Sequence, residues 1–267
     1  MQFPPSPAWS FCVKHYLFLK CSYRKPLRLF SDGNTGMVFV IRGQLKIQNK
    51  GNLGTKVLPD AFVYGQLGGY HDIFSEGETE LLIIVFQPYG FFSLCGIPAD
   101  ELQSQIIDAY SLFGRQINSL SDALQSAEGY GGKISIIEGY FTTLIKSSKV
   151  TSNQLAPIVK TVMQVKGQST VNELIKLTGY SERKLERLFH QAIGISPIKY
   201  LQIVRLHYFL SLMRSAHSPE SLTITSLESG YYDQPRLIHN FKQITGLTPT
   251  QYLSTTSALT VNLIVVN

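Results

Sequence analysis

Cysteine is scarce in this chain, with three residues, Cys12, Cys21 and Cys95, among 267. An odd count without regular spacing argues against a disulfide framework, and three thiolates cannot complete a four-thiolate zinc site. Reduced thiols of a cytoplasmic protein are expected. The first half holds His15 and His71 but no His-x-His, so both read as structural or surface histidines and no metal ligand is assigned. There is no Gly-x-Ser-x-Gly, no Cys-His nucleophile signature and no Gly-rich phosphate loop; Gly68-Gly69 reads as a turn. No catalytic residue and no cofactor is therefore expected, and the chain is not expected to be an enzyme. The opening residues, MQFPPSPAWSF, lack the positive stretch of a signal peptide. The apolar tail from Ala258 to Val266 is too short to span a bilayer.

Charge is present but unevenly placed. Residues 1–150 carry 13 Lys/Arg and 12 Asp/Glu, whereas residues 151–267 carry 11 and 6. The positive excess sits in the second segment, as a phosphate-binding module requires. That segment also contains an internal repeat. Gly179-Tyr180 recurs as Gly230-Tyr231. Leu185, Phe189, Gln191, Gly194, Pro197, Tyr200 and Leu201 recur as Leu237, Phe241, Gln243, Gly246, Pro249, Tyr252 and Leu253. One supersecondary unit is used twice.

The unit has a physical reading. Val171, Leu174 and Ile175 begin a helix that Gly179 can end at positive φ. Ser181 can cap the next helix, in which Leu185, Leu188, Phe189 and Ala192 share one buried face. Arg183, Lys184, Glu186, Arg187 and His190 lie on its other faces. Gly194 closes the helix, and Ser196-Pro197 opens the following one. Two helices around a Gly turn, the second with a basic exposed side, make a helix-turn-helix whose second helix suits a major groove.

Ser181-x-Arg183-x-Leu185-x-Arg187-x-Phe189 with Gly194-x-Ser196-Pro197-x-x-Tyr200 and Arg205-Leu206 resembles the AraC/XylS family of bacterial transcription regulators. Gly230-Tyr231-x-Asp233-Gln234, Phe241-Lys242 and Gly246-x-Thr248-Pro249-x-x-Tyr252 resemble that family's second helix-turn-helix. The resemblance covers roughly residues 155 to 255. It implies duplex DNA as the partner and leaves RNA polymerase, a small-molecule effector and a second copy of the chain open as further partners. Arg183 and Arg187, one turn apart, suit guanine O6 and N7, and Glu186 suits cytosine N4 or an Arg neighbour. The corresponding positions of the second copy are Gln234, Arg236, His239 and Asn240, with Gln and Asn suited to adenine. Lys184, Lys199 and Lys242 are the phosphate candidates. Four positions depart from the family pattern. Pro235 stands where a small polar residue is usual, Thr225 and Ser226 where apolar ones are, and Phe209 where a small one is.

From Phe11 to Phe86 the signal is strand: Val13 to Cys21, Gly36 to Arg42, Gln44 to Gln48, Ala61 to Gln66 and Glu80 to Phe86. Arg42-Gly43-Gln44 reads as a hairpin connection, and residues 1–10 as an extended arm. This stretch resembles the cupin-like sensor domains of AraC-type regulators, most closely at Leu29 to Gly33 and Phe86 to Gly90. From Ala99 the period turns helical. Leu102, Ile106, Ala109 and Phe113 share one face, and Ile117, Leu120 and Leu124 another. Ile134, Ile137, Phe141, Leu144 and Ile145 make a third, read as core or as a dimerisation face. Lys146 to Asn153 reads as a linker, Leu155 to Val165 as a packing helix, and Ile198 to Met213 as the helix joining the repeats.

The expectation is an α+β protein. Residues 1–150 would be a cupin-like barrel with trailing helices, for sensing or dimerisation. Residues 151–267 would be an all-α domain with two helix-turn-helix motifs. The function expected is sequence-specific DNA binding. The alternatives are a cupin-like enzyme and an interaction module whose helix-turn-helix domain no longer binds DNA.

Overall fold

The computed structural model describes residues 1–21, 26–49, 54–147, 154–215, 222–254, 258–260 and 262–266. Its first part is β1 (Gln2–Phe3), β2 (Val13–Cys21), β3 (Leu27–Phe30), β4 (Gly36–Asn49), β5 (Lys56–Val57), β6 (Ala61–Tyr64) and β7 (Tyr70–Phe86). All their pairings are antiparallel. Residues 1–10 are not an extended arm. β1 pairs with β2, and a turn then folds Trp9 back until it is buried against Phe141.

The strands at Gly36–Arg42 and Gln44–Gln48 are a single strand, without a hairpin between them. Gly43 (φ 83) sits in a bulge, with register shifts on both sides of Arg42. A Gly at positive φ serves a turn and a bulge equally well, and here its partner β7 runs unbroken through Gly77 (φ 68). β4 accompanies β7 along nearly its whole length. The second half of β7 pairs with β2 and its first half with β3. The bulge at the midpoint bends the pair, so β2 and β3 lie on different portions of one curled sheet.

Side-chain alternation assigns the two faces. Tyr16, Phe18, Met37, Phe39, Leu82, Ile84 and Phe86 join one core cluster, while Leu17, Leu19, Val38, Val40 and Leu81 join another. Both faces are covered, which is why Leu81 to Phe86 reads as a continuous apolar run instead of alternating.

The next segment corrects a helical expectation. Leu102, Ile106, Ala109 and Phe113 do not share a helix. They fall in a 3-10 turn (Ala99–Leu102), β8 (Ile106–Asp108) and α2 (Ala109–Phe113), after α1 (Gly90–Cys95). Ser104 takes positive φ, and β8 pairs with β6, so tertiary pairing of two β-branched residues overrides a helical period. α3 (Gln116–Ser126) and α4 (Gly129–Ser147) follow as expected. Ile117, Leu120, Leu124, Ile137 and Phe141 are buried in the cluster of Tyr16 and Phe86, and Ile134, Leu144 and Ile145 pack against it. The apolar face of α4 is therefore core, not a free dimerisation face. Lys146 and Ser147 lie within α4; the rest of the expected linker, 148–153, lies outside the described residues.

The second part is α5 (Ala156–Gln164), α6 (Val171–Thr178), α7 (Glu182–Ile193), α8 (Pro197–Ser215), α9 (Leu222–Glu228), α10 (Gln234–Thr245) and α11 (Pro249–Leu253). Two strands close the chain, β9 (Ala258–Thr260) and β10 (Leu263–Val265), and β10 pairs with β3. The helical core takes in Phe30 from β3 together with Ile264 and Val266 from the tail. No described helix is long and apolar enough to cross a membrane.

Candidate nucleic-acid interface

The two repeats fold alike because their local chemistry is alike. In the first, Thr170 and Glu173 form a capping box at the start of α6, and Gly179 ends it at φ 67. Ser181 then accepts from the Lys184 N–H to cap α7, and Gly194 ends α7 in the left-handed conformation at φ 87. In the second, Gly230 (φ 78) is followed by Asp233, whose carboxylate accepts from the Arg236 N–H to cap α10, and Gly246 ends α10 at φ 75. α7 and α10 are 12 residues each. Pro235 occupies the first turn of α10, where no backbone bond is lost. The helix after each motif is capped in the same way: Ser196 accepts from the Lys199 N–H, and Thr248 forms a capping box with Gln251.

The support helix α9 turns its polar residues inward. Thr225, Ser226 and Ser229 are buried, and the Ser229 hydroxyl donates to the Thr225 and Ser226 carbonyls at 2.8 and 2.9 Å. Its Ile224 and Leu227 are exposed. Phe209 fills the space between the repeats, with its ring edge-on to Tyr231 and Phe241.

Every residue singled out for DNA remains accessible. On α7, Arg183 and Arg187 are exposed, and Lys184 and Glu186 are half-buried. The Lys184 ammonium lies 3.5 Å from the Tyr180 ring centre, and Glu186 lies 3.4 Å from His190. On α10, Gln234, Arg236, His239 and Lys242 are exposed and Asn240 is half-buried. Lys199, on α8, is half-buried, and burial lowers its pKa.

Both candidate reading helices are anchored at their C-terminal ends to the N-terminal part. A Cβ on Gly194 would lie 2.6 Å from the Ala99 carbonyl oxygen, and one on Gly246 would lie 2.3 Å from the Tyr70 ring. Phe30 packs near His207 and edge-on to Tyr252. The His207 Nε2–H donates to the Ser31 carbonyl at 2.9 Å, and burial lowers the imidazole pKa. The N-terminal part thus touches both helix-turn-helix units, the first through the 3-10 turn and α1 and the second through the sheet.

Between sheet and helices lies a cavity of about 450 Å³. Leu17, Leu19, Val38, Leu45, Phe62, Leu81 and Ile83 form its apolar wall. Lys14, His15, Asp32, Lys166, His207, Tyr208 and Asn262 also line it. Lys166, held in left-handed backbone (φ 56), donates to the Tyr208 hydroxyl at 2.9 Å; that hydroxyl donates to Glu228 of α9 at 3.3 Å. None of these residues stands out in the sequence. They come from four strands, three loops and the helical part, and no spacing marks them. Only the leucines alternating along β2 hint at a second apolar face. Among the described residues no cluster of three or more His, Cys, Asp or Glu could hold a metal ion.

Residues 174–255 match the family described as a helix-turn-helix domain, and residues 1–108 match a domain of unknown function, DUF6597. An uncharacterized HTH-type transcriptional regulator of Haemophilus influenzae is 29% identical over 100 residues, which is 38% of this chain and 33% of that protein. One of Staphylococcus aureus is 27% identical over 93 residues, 35% of this chain and 12% of that protein. The chain therefore spans a third or less of the length of these curated relatives. Among solved structures, ToxT of Vibrio cholerae superposes with a TM-score of 0.50 at 12% identity, covering 90% of this chain and 97% of ToxT. ToxT has also been solved bound to (E)-4-(8-methylnaphthalen-1-yl)but-3-enoic acid, again with a TM-score of 0.50, at 13% identity.

Proposed function

We propose that this chain, whose residues 174–255 are a helix-turn-helix domain of the AraC type, is a sequence-specific DNA-binding transcription regulator of the cytoplasm. The observation that carries the reading is the pair of equally built helices α7 and α10. Each is capped at its N-terminus, closed by a left-handed Gly, and exposed along a face rich in Arg, Gln and His. Arg183 and Arg187 would read bases from α7, and Gln234, Arg236, His239 and Asn240 from α10. Lys184 and Lys242 would hold phosphates, as would Glu186 a base or a neighbouring Arg.

A small-molecule effector belongs to the same reading. The cavity lies where an occupant would touch the sheet and, in the helical part, α5 and α8 at once. Its wall is apolar, and Lys14 and Lys166 outnumber the one carboxylate, Asp32. An apolar molecule with an anionic head suits this lining. ToxT, which has the same overall fold, has been solved with a ligand of that chemistry, a naphthyl-butenoic acid.

Selection of DNA sites by the full chain from a random pool tests the reading. One enriched motif, bound with an affinity that falls steeply with salt, is expected. Recovery of no motif, or binding indifferent to salt, would overturn it.

A further inference from the structure

The chain does not end with its second helix-turn-helix. Past α11 it returns to the sheet, beyond both family-matched stretches, 1–108 and 174–255. β10 adds to β3 with Leu263 opposite Leu29, Ile264 opposite Arg28 and Val265 opposite Leu27. Hydrogen bonds extend the pairing at both ends. The Phe30 N–H donates to the Asn262 carbonyl at 3.1 Å, and the Val266 N–H donates to the Pro26 carbonyl at 3.1 Å. The Asn262 side-chain amide donates to the Phe30 carbonyl at 3.2 Å.

Alternation then splits the strand between two cores. Leu263 belongs to the barrel cluster, with Val265 packed against it, while Ile264 and Val266 belong to the helical core. Ile264 is fully buried and Leu263 is 6% exposed. Asn262 and Leu263 also line the cavity, one offering an amide and the other a methyl surface. The same segment is thus a wall of the cavity, a strand paired to β3 and a plug of the helical core.

We propose that β9 and β10, with Asn262, form a strap that contacts the cavity's occupant and transmits occupancy to the second helix-turn-helix. This rests on the effector reading above and assigns Asn262 and Leu263 as effector-contacting residues. A ligand shifts an equilibrium only by its different affinity for the two states. Here the states are strap paired and strap released. Release removes the Asn262 and Leu263 wall, so an occupant favours the paired state. β10 lies between β3 and β9, so among the described residues the ladder to β3 is what ties these two strands to the rest of the sheet, and an element held by one ladder can add and leave reversibly. The strap follows α11 directly in the chain, so pairing pins the second module to the barrel beside the contact of Gly246 with Tyr70.

The test uses 1-anilinonaphthalene-8-sulfonate as the probe, an apolar ring system with an anionic head. Hydrogen exchange of the full chain is followed with and without it. The probe is expected to slow exchange of the amides of 263–266 about tenfold or more. A chain ending at Ser254 is expected to bind the probe at least tenfold more weakly while still binding DNA through the first helix-turn-helix. Because truncation can disturb folding, the double variant Leu27→Cys with Val265→Cys is compared with itself, oxidised and reduced. These positions are opposite in register, within the span a disulfide bridges. Oxidation is expected to raise probe affinity and to alter the DNA footprint only where the second helix-turn-helix binds. Unchanged exchange in 263–266 on probe binding, or identical probe affinity and footprint in the oxidised and reduced forms, would overturn the strap. Failure of every form to bind DNA would instead overturn the function proposed above, because the exchange and probe measurements stand without DNA.

Discussion

Arg183 and Arg187 lie one turn apart on the exposed side of α7. An Arg that bonds guanine through O6 and N7 discriminates between bases, whereas a phosphate contact does not. Arg187→Ala should therefore cost about 1–3 kcal/mol on the selected site and less on sites already mismatched at one position. Lys242→Ala should weaken all sequences alike and reduce the salt slope by about one. Titration of each variant over a panel of single-base changes separates the two. A uniform loss for Arg187→Ala would make it a phosphate contact. A second residue-level effect concerns pH. Burial holds His15, His71 and His207 below the ordinary 6.5. As pH falls through that value the unfolded chain takes up protons that the folded chain resists. Stability is thus present above the unfolded value and is lost on acidification toward the lower folded values. Thermal unfolding from about pH 8 to about pH 5 should show this fall, and His207→Gln should flatten part of it. The replacement keeps an N–H to donate to Ser31 but cannot ionise.

Elements differ in how much of them is legible locally. The two helix-turn-helix units can be read from Ser181, Asp233, Gly194 and Gly246 because caps and left-handed glycines act within a few residues. The strand tail cannot be read, because its partner Phe30 lies 232 residues from Asn262. The single strand β4 is misread as a hairpin because Gly43 answers two local descriptions, and only pairing with β7 chooses between them. Thr225 and Ser226 look wrong for a support helix by local pattern, yet the helix forms with both side chains buried. The cavity is invisible in sequence because its charged residues arrive from separate elements. The bulge gives a direct check on the element scale. A Cβ at Gly77 meets nothing within 4 Å, so Gly77→Ala should cost only its backbone strain, about 1–2 kcal/mol. A Cβ at Gly43 would lie 2.6 Å from the Thr79 hydroxyl and 2.7 Å from the Glu78 carbonyl oxygen. Gly43→Ala should therefore cost clearly more than Gly77→Ala in denaturant unfolding. Equal costs would mean that the bulge does not hold the bend.

At the scale of the whole molecule the question is whether one chain reads two segments of DNA. α8 joins the repeats and has 19 residues, a rod of about 28 Å. Successive major grooves on one face of the duplex are about 34 Å apart. The rod together with the helices packed at its ends spans that interval, and Phe209 between Tyr231 and Phe241 fixes the second unit against the rod. One chain should protect two short segments about 10 base pairs apart. The first should depend on Arg183 and Arg187, the second on Gln234, Arg236 and His239. The two units are not held equally. α7 packs against the 3-10 turn and α1 as well as its own helical core, whereas α9 leaves Ile224 and Leu227 in solvent. The second segment should therefore carry the weaker base preference. If the spacing is met by bending DNA, the bend itself costs a few kcal/mol and adds preference for flexible steps between the segments. Footprinting the full chain on a selected site, with Arg236→Ala and His239→Ala combined, decides the matter. Loss of protection confined to the second segment is expected; protection limited to one groove, or untouched by the double change, would leave the first helix-turn-helix as the sole reader.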